Sequence, residues 1–339
     1  MLELGILDYA QLDEGATPRQ ALQGSVELAQ TAEELGFKRF WVAEHHNVPA
    51  FASSSPELLM MQILNQTSTI RVGSGGVMLP HYASLKVAEN FRMLEGFHPG
   101  RVDLGLGNTK GTPEVYTALN ELKERFKGDQ EAIEEIIGLL TDDVEGDPLH
   151  EGMTANPKID TIPKMWLLSS SVRSARVAAK LGLGYVFGLF PYASKDRLEV
   201  GIEASKVYRE EFQPSAFLDE PRVIVAPFLA VAESEEEGME YAQALDLWLL
   251  GKDNFGELAQ FPSIETAKNY DYSDVDKKKI ENNRIRSVVG GIDSVTAQLN
   301  DIADKMAADE ILLVPLMPGL EARKEALRLL SKAFNLKEN

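Results

Sequence analysis

Short apolar runs recur along this chain, separated by stretches with helical spacing. Eight of them read as strands: Leu2–Asp8, Arg39–Ala43, Ile70–Leu79, Arg101–Leu106, Met165–Ser169, Gly184–Phe190, Val223–Ala232 and Glu310–Met317. Their hydrophobicity is nearly continuous rather than alternating, the pattern of parallel strands buried on both faces. The intervening segments carry helix signals. Thr17-Pro18-Arg19-Gln20 has the form of a capping box with proline at the first helical position. Leu22, Val26, Ala29 and Ala32 then form one stripe, and Gly36 stands where a glycine ends a helix. Asp129–Leu140 aligns Ile133, Ile136, Ile137 and Leu140, and Ser294–Ala307 aligns Val295, Leu299, Ile302 and Met306. A last helix is expected from about Glu321 to Phe334.

Eight strand–helix alternations predict an α/β fold, a closed (β/α)8 TIM barrel. A doubly wound sheet would carry a glycine-rich fingerprint after its first strand, and Leu2–Asp8 is followed by none. The expected organisation is a single domain, residues 1–339, with an insertion before the last strand–helix unit. That insertion, 251–286, is polar, contains Lys277-Lys278-Lys279, and is long enough to be a lid or a solvated excursion.

Charge narrows the partners. The 339 residues carry a net charge of −19, which disfavours nucleic acid and anionic membrane surfaces. Cysteine is absent, which excludes disulfides, thiolate catalysis and cysteine-ligated metal centres. The beginning of the chain reads as a strand rather than a signal peptide, and no apolar run approaches the ~20 residues of a membrane span. The expected location is the cytoplasm.

Barrel active sites form at the C-terminal ends of the strands. There the sequence places Glu44-His45-His46, Leu79-Pro80-His81-Tyr82, Gly107-Asn108, Ser169-Ser170-Ser171 and Leu189-Phe190. Histidine suits proton transfer because its ordinary pKa is ~6.5, and adjacent strand residues diverge, so only one of His45 and His46 can face the mouth squarely. The same divergence argues against one metal ion shared by both, and no metal is expected. The serines precede a helix, whose free N–H groups with the hydroxyls and Arg173 could bind a phosphate or simply form a cap. Gly73-Ser74-Gly75-Gly76 would let a flat ring, or a neighbouring element, approach the third strand closely.

Three segments resemble the luciferase-like flavin-dependent monooxygenases, in their single-component-type branch: Trp41-Val42-Ala43-Glu44-His45-His46, Arg71–Pro80, and Pro99–Gly107. The resemblance spans nearly the whole chain and is densest in residues 1–112. It implies reduced FMN as co-substrate at the barrel mouth, O2, a small organic substrate, and a flavin reductase or NAD(P)H as the electron source. It implies His45 and Glu44 as catalytic residues, and Gly75, Gly76, Asn108, Ser170, Ser171 and Ser174 at the cofactor, with Gly75-Gly76 at a cis peptide in many relatives. His81, Tyr82 and Phe190 would face the substrate. Val289-Gly290-Gly291 resembles a family turn before the penultimate helix, and a homodimer through the helices flanking the second and third strands is implied. Two positions depart from the branch. Asn108 stands where an arginine is usual, and His81-Tyr82 replaces Asn-His. These departures leave two other readings open: a non-catalytic flavin-binding protein of the same fold, or a deazaflavin-dependent oxidoreductase.

Overall fold

In a computed structural model, residues 2–120, 128–147, 149–190 and 197–338 are described. The strands are β1 (Glu3–Asp8), β2 (Arg39–Val42), β3 (Arg71–Ser74), β4 (Val77–Met78), β5 (Val102–Gly107), β6 (Lys164–Ser169), β7 (Gly184–Gly188), β8 (Val223–Ala226), β9 (Phe228–Ala232), β10 (Ser287–Gly291) and β11 (Glu310–Pro315). The order β1-β2-β3-β5-β6-β7-β8-β11 closes on itself through β1 and β11, with Ile6 opposite Leu313, and every pairing is parallel. This is the expected (β/α)8 barrel. Ile6, Phe40, Val72 and Leu104 are fully buried in it, and truncating one such side chain to alanine costs about 2–5 kcal/mol.

Two expected strands are interrupted. The third splits at Gly75-Gly76, whose peptide bond is cis, and β4 beyond it pairs with β5. A Cβ on Gly75 would lie 2.4 Å from Leu7 Cδ1, and one on Gly76 would lie 3.0 Å from Gly105 O. Only glycines let the chain pass this closely between β1 and β5. The seventh splits at Pro227, which has no N–H to donate; its carbonyl still accepts from Val314 N–H at 3.0 Å. The segment around Val289-Gly290-Gly291, expected to be a turn, is instead strand β10, which pairs with β9 outside the ring.

The helices follow their signals. Pro18–Glu34 begins with the Thr17/Gln20 capping box, and Gly36 is left-handed at φ +83°. Asp129–Thr141, Ile292–Met306 and Leu320–Ala333 agree with expectation to within two residues at each end. The polar stretch 251–286 holds a 3-10 helix, Lys252–Phe255, and two α-helices, Ile264–Asn269 and Asp274–Arg284, the last containing the three lysines. Lys252 Nζ fastens it, donating to Tyr270 OH at 2.7 Å and Asp276 Oδ2 at 3.0 Å. Phe261 N–H also donates to Leu12 O at 2.8 Å, tying the segment to the loop after β1. Among the described residues, no helix is long and apolar enough to cross a membrane.

At the N-terminal end of the barrel, charge is buried. Arg39 bridges Asp103 at 2.6 Å and Glu310 at 2.8 Å, and Arg71 pairs with the other oxygen of Asp103 at 2.6 Å. Burial pushes the Asp103 carboxyl up, but Arg39 and Arg71 outweigh it and hold it below the usual range.

Candidate active site

The C-terminal end of β2 runs into Glu44, which is buried. Both of its oxygens are occupied. Oε1 accepts from His46 Nε2 at 2.8 Å and from the Tyr82 hydroxyl at 2.6 Å, and Oε2 accepts from Met78 N–H at 2.8 Å. Burial and Glu44 raise the Tyr82 phenol well above its usual pKa, so it remains a donor. Glu44 therefore locks the β2 end to β4 and orients two side chains, rather than presenting a free carboxylate to the mouth.

His45, beyond the end of β2, packs away from the Glu44–His46 pair. Its ring packs against Tyr9 at 4.5 Å and Phe51 at 5.0 Å between centroids. Its Nδ1 is enclosed and has no hydrogen-bond partner. Burial, and then the charge of His46, push its pKa down to about 4. The imidazole is thus neutral at pH 7 and can accept a proton. The backbone holds it in place: His45 N–H donates to Ser53 O at 2.9 Å, and Ser53 Oγ donates to Ala43 O at 2.6 Å.

Aromatic side chains continue from His45 in both directions. Phe51 lies 5.0 Å from Trp248, and Trp248 lies 5.3 Å from Phe255 and 5.9 Å from Phe261 in the 251–286 segment. On the other side, Tyr9 lies 6.1 Å from Phe228, which lies 5.1 Å from Phe190. Phe190 thus joins His45 through two rings. His81 is buried in the turn Leu79–His81, with Nδ1 2.8 Å from Asn120 Nδ2 and its ring 6.4 Å from His46. His81 and Tyr82 accordingly sit on the Glu44–His46 side, apart from the His45 cage.

A second cluster forms where β6 ends. Ser171 caps the helix Val172–Lys180; its Oγ accepts from Ser174 N–H at 3.3 Å and lies 3.1 Å from Ser174 Oγ. The Tyr185 hydroxyl donates to Ser171 O at 3.2 Å, and Arg197 Nη1 donates to Ser170 O at 2.5 Å. The sequence reading passed over Arg197. It is 8% exposed, its Nε is buried with no hydrogen-bond partner, and no carboxylate pairs with it among the described residues. Burial, and then Arg286, pull it below the usual guanidinium pKa, though an arginine remains charged at any physiological pH. No local motif marks it, because it reaches the serines from a different helix, Arg197–Glu211. Arg173, considered from sequence, is exposed. Asn108 is also exposed; Gly107 pairs with Leu168, so Asn108 and Ser169 end neighbouring strands.

The C-terminal strand ends thus carry a serine cap beside a buried arginine at β6, a strip without side chains at Gly75-Gly76, and a neutral histidine in an aromatic wall. Residues 2–309 match the model of the family described as luciferase-like monooxygenase. The chain belongs to the luciferase-like monooxygenase family. It is 41% identical over 338 residues to the uncharacterised protein YceB of Bacillus subtilis (strain 168), covering 98% of this chain and 100% of that one. An N-acetyl-S-alkylcysteine monooxygenase of the same organism is 39% identical over 243 residues, 71% of each chain. The crystal structure of apo-MsnO8 superposes with a TM-score of 0.87 at 34% identity, covering 99% of both chains.

Proposed function

We propose that this protein is a monooxygenase that uses reduced FMN and O2 to oxidise a small organic substrate, the whole chain acting as one barrel unit. Within the family, the observation that carries this reading is Arg197: a buried cation without a carboxylate, beside the serine cap at the C-terminal end of β6. A phosphate monoester supplies the acceptors that this cradle lacks. Ser170, Ser171, Ser174 and Arg197 would hold the phosphate, with Asn108 adding an uncharged contact from β5. Gly75-Gly76 would give the ring system a floor without side chains. When bound, reduced FMN supplies the two electrons that O2 takes up.

The chain's own residues then shape the reaction. Glu44 fixes the β2–β4 edge and holds His46 and Tyr82 in place. His45, neutral at pH 7, accepts a proton at Nδ1. The rings of Tyr9, Phe51, Phe228, Phe190 and Trp248 exclude water and favour an apolar group on the substrate, with His81 and Tyr82 bounding the pocket on the other side. The segment 251–286 covers this wall through Phe255 and Phe261. Electrons reach FMN from a flavin reductase or from NAD(P)H, in the cytoplasm. Leu58, Met93 and Phe97 are 75%, 47% and 66% exposed on the helices Pro56–Gln66 and Ser84–Phe97, and a second copy of the chain covers this face in a homodimer.

The test is to mix the protein, loaded anaerobically with reduced FMN, with O2 and follow the return of oxidised-flavin absorbance. Reoxidation slower than for free reduced FMN, in more than one phase, is expected. A single phase at the free-flavin rate would favour a flavin-binding protein without catalysis.

A further inference from the structure

The barrel has a concave region at the end opposite the candidate active site, over the buried Arg39–Asp103–Arg71 group. A cavity of about 560 Å³ opens at the N-terminal ends of the strands. Cations begin or immediately precede four of the strands around it. Lys38 precedes β2 and Arg39 begins it; Arg71 begins β3, Lys164 begins β6, and Arg222 precedes β8. Such a concentration on a chain of net charge −19 runs against the overall field.

Most of these cations have partners. Arg39 and Arg71 share Asp103, Arg39 also takes Glu310, and Lys38 and Arg222 share Glu3. Lys164 does not: it has no hydrogen-bond or ion-pair partner among the described residues. Although its side chain reaches solvent, partial desolvation at its base pushes its ammonium below the usual lysine pKa, and Arg71, Arg39 and Arg222 push the same way against Asp103. Trp166, also in the cavity lining, keeps its indole N–H buried without an acceptor. Glu3, Asp103, Glu310, Asp219 and Glu220 match the five cations in number, so what distinguishes the β6 strand is that the donors of Lys164 and Trp166 are left without acceptors among the described residues. Asp219 and Glu220 line the cavity from the loop before β8, so an anion is repelled there and favoured beside Lys164.

We propose that this basal cavity is an anion-binding site, distinct from the mouth, that takes a small phosphate-type dianion beside Lys164. Arg222 and Lys38 are its flanking contacts. The buried Arg39–Asp103–Arg71 group holds the floor rigid, so that the ligand meets a prearranged field rather than mobile side chains.

Inorganic phosphate is the probe, titrated in thermal unfolding at ionic strength held constant with chloride. A ligand that binds only the folded state raises Tm saturably. The site predicts such a rise for the unaltered chain, with the half-saturating phosphate concentration raised about tenfold or more in Lys164→Gln, the worth of one charge-assisted contact. Lys164 is exposed, so the variant is expected to fold, and Lys164→Arg should restore binding. Asp219→Asn should tighten it. Phosphate could also enter the serine cradle, so Arg197→Gln is the control and should keep the basal response. No phosphate-specific rise, an unchanged midpoint in Lys164→Gln, or a response lost in Arg197→Gln but kept in Lys164→Gln would each overturn the proposal.

Discussion

His46 Nε2 lies 2.8 Å from Glu44 Oε1, while the neighbouring His45 Nδ1 has no hydrogen-bond partner among the described residues. Two adjacent histidines thus sit in separate environments. One is held by a buried carboxylate, and the other is kept neutral in an aromatic cage.

Replacing Glu44 by glutamine tests the first. The carboxylate accepts three hydrogen bonds, and an amide turns one acceptor into a donor facing another donor. A stability loss of about 1–3 kcal/mol is expected from urea unfolding, together with a loss of turnover as His46 and Tyr82 lose their anchor.

His45→Gln tests the second. Turnover should fall about 100-fold or more, in the range of a lost acid–base group, while flavin affinity changes little. Steady-state oxygen consumption and equilibrium flavin binding separate the two effects.

The low pKa of His45 also carries a stability signature. In the unfolded chain this imidazole takes up a proton near pH 6.5, and in the folded chain only near about 4. The unfolded state therefore binds more protons in this window, so stability falls as pH drops from 6.5 to 4. His45→Gln should lose less stability across that window than the unaltered chain, as measured by denaturant midpoints at each pH.

Ser171→Ala removes a helix cap. A loss of about 1 kcal/mol is expected from the cap alone. Affinity for FMN should also fall, whereas affinity for riboflavin, which lacks the phosphate, should stay the same.

Arg39→Met leaves Asp103 and Glu310 buried with one partner fewer and none, respectively, among the ion pairs described. Breaking a buried pair from one side costs about 3–5 kcal/mol, which would appear as a lower Tm with the fold otherwise retained.

The barrel was legible because strands buried on both faces leave continuous apolar runs, and such runs survive in one dimension. Breaks within strands were less visible. Pro227 sits inside Val223–Ala232 without disturbing its hydrophobicity, and β10 is short and ends in two glycines that read as a turn. The strand ends at Glu44, His45 and Ser171 could be placed from sequence because the barrel rule fixes where strands point. The surroundings of His45 and His46 could not, since Tyr9, Phe51 and Tyr82 arrive from other elements. Arg197 was invisible for the same reason: a long-range contact with the Ser170 carbonyl leaves no local pattern.

Arg197 and the Ser171 cap are proposed to hold reduced FMN at the mouth by its phosphate. Anaerobic titration with reduced FMN and reduced riboflavin, on the unaltered chain and on Arg197→Gln, tests it most directly. Saturable binding of reduced FMN about tenfold or more tighter than riboflavin is expected, with that preference lost in the variant. Equal affinities for the two flavins, or no saturation by reduced FMN, would contradict it.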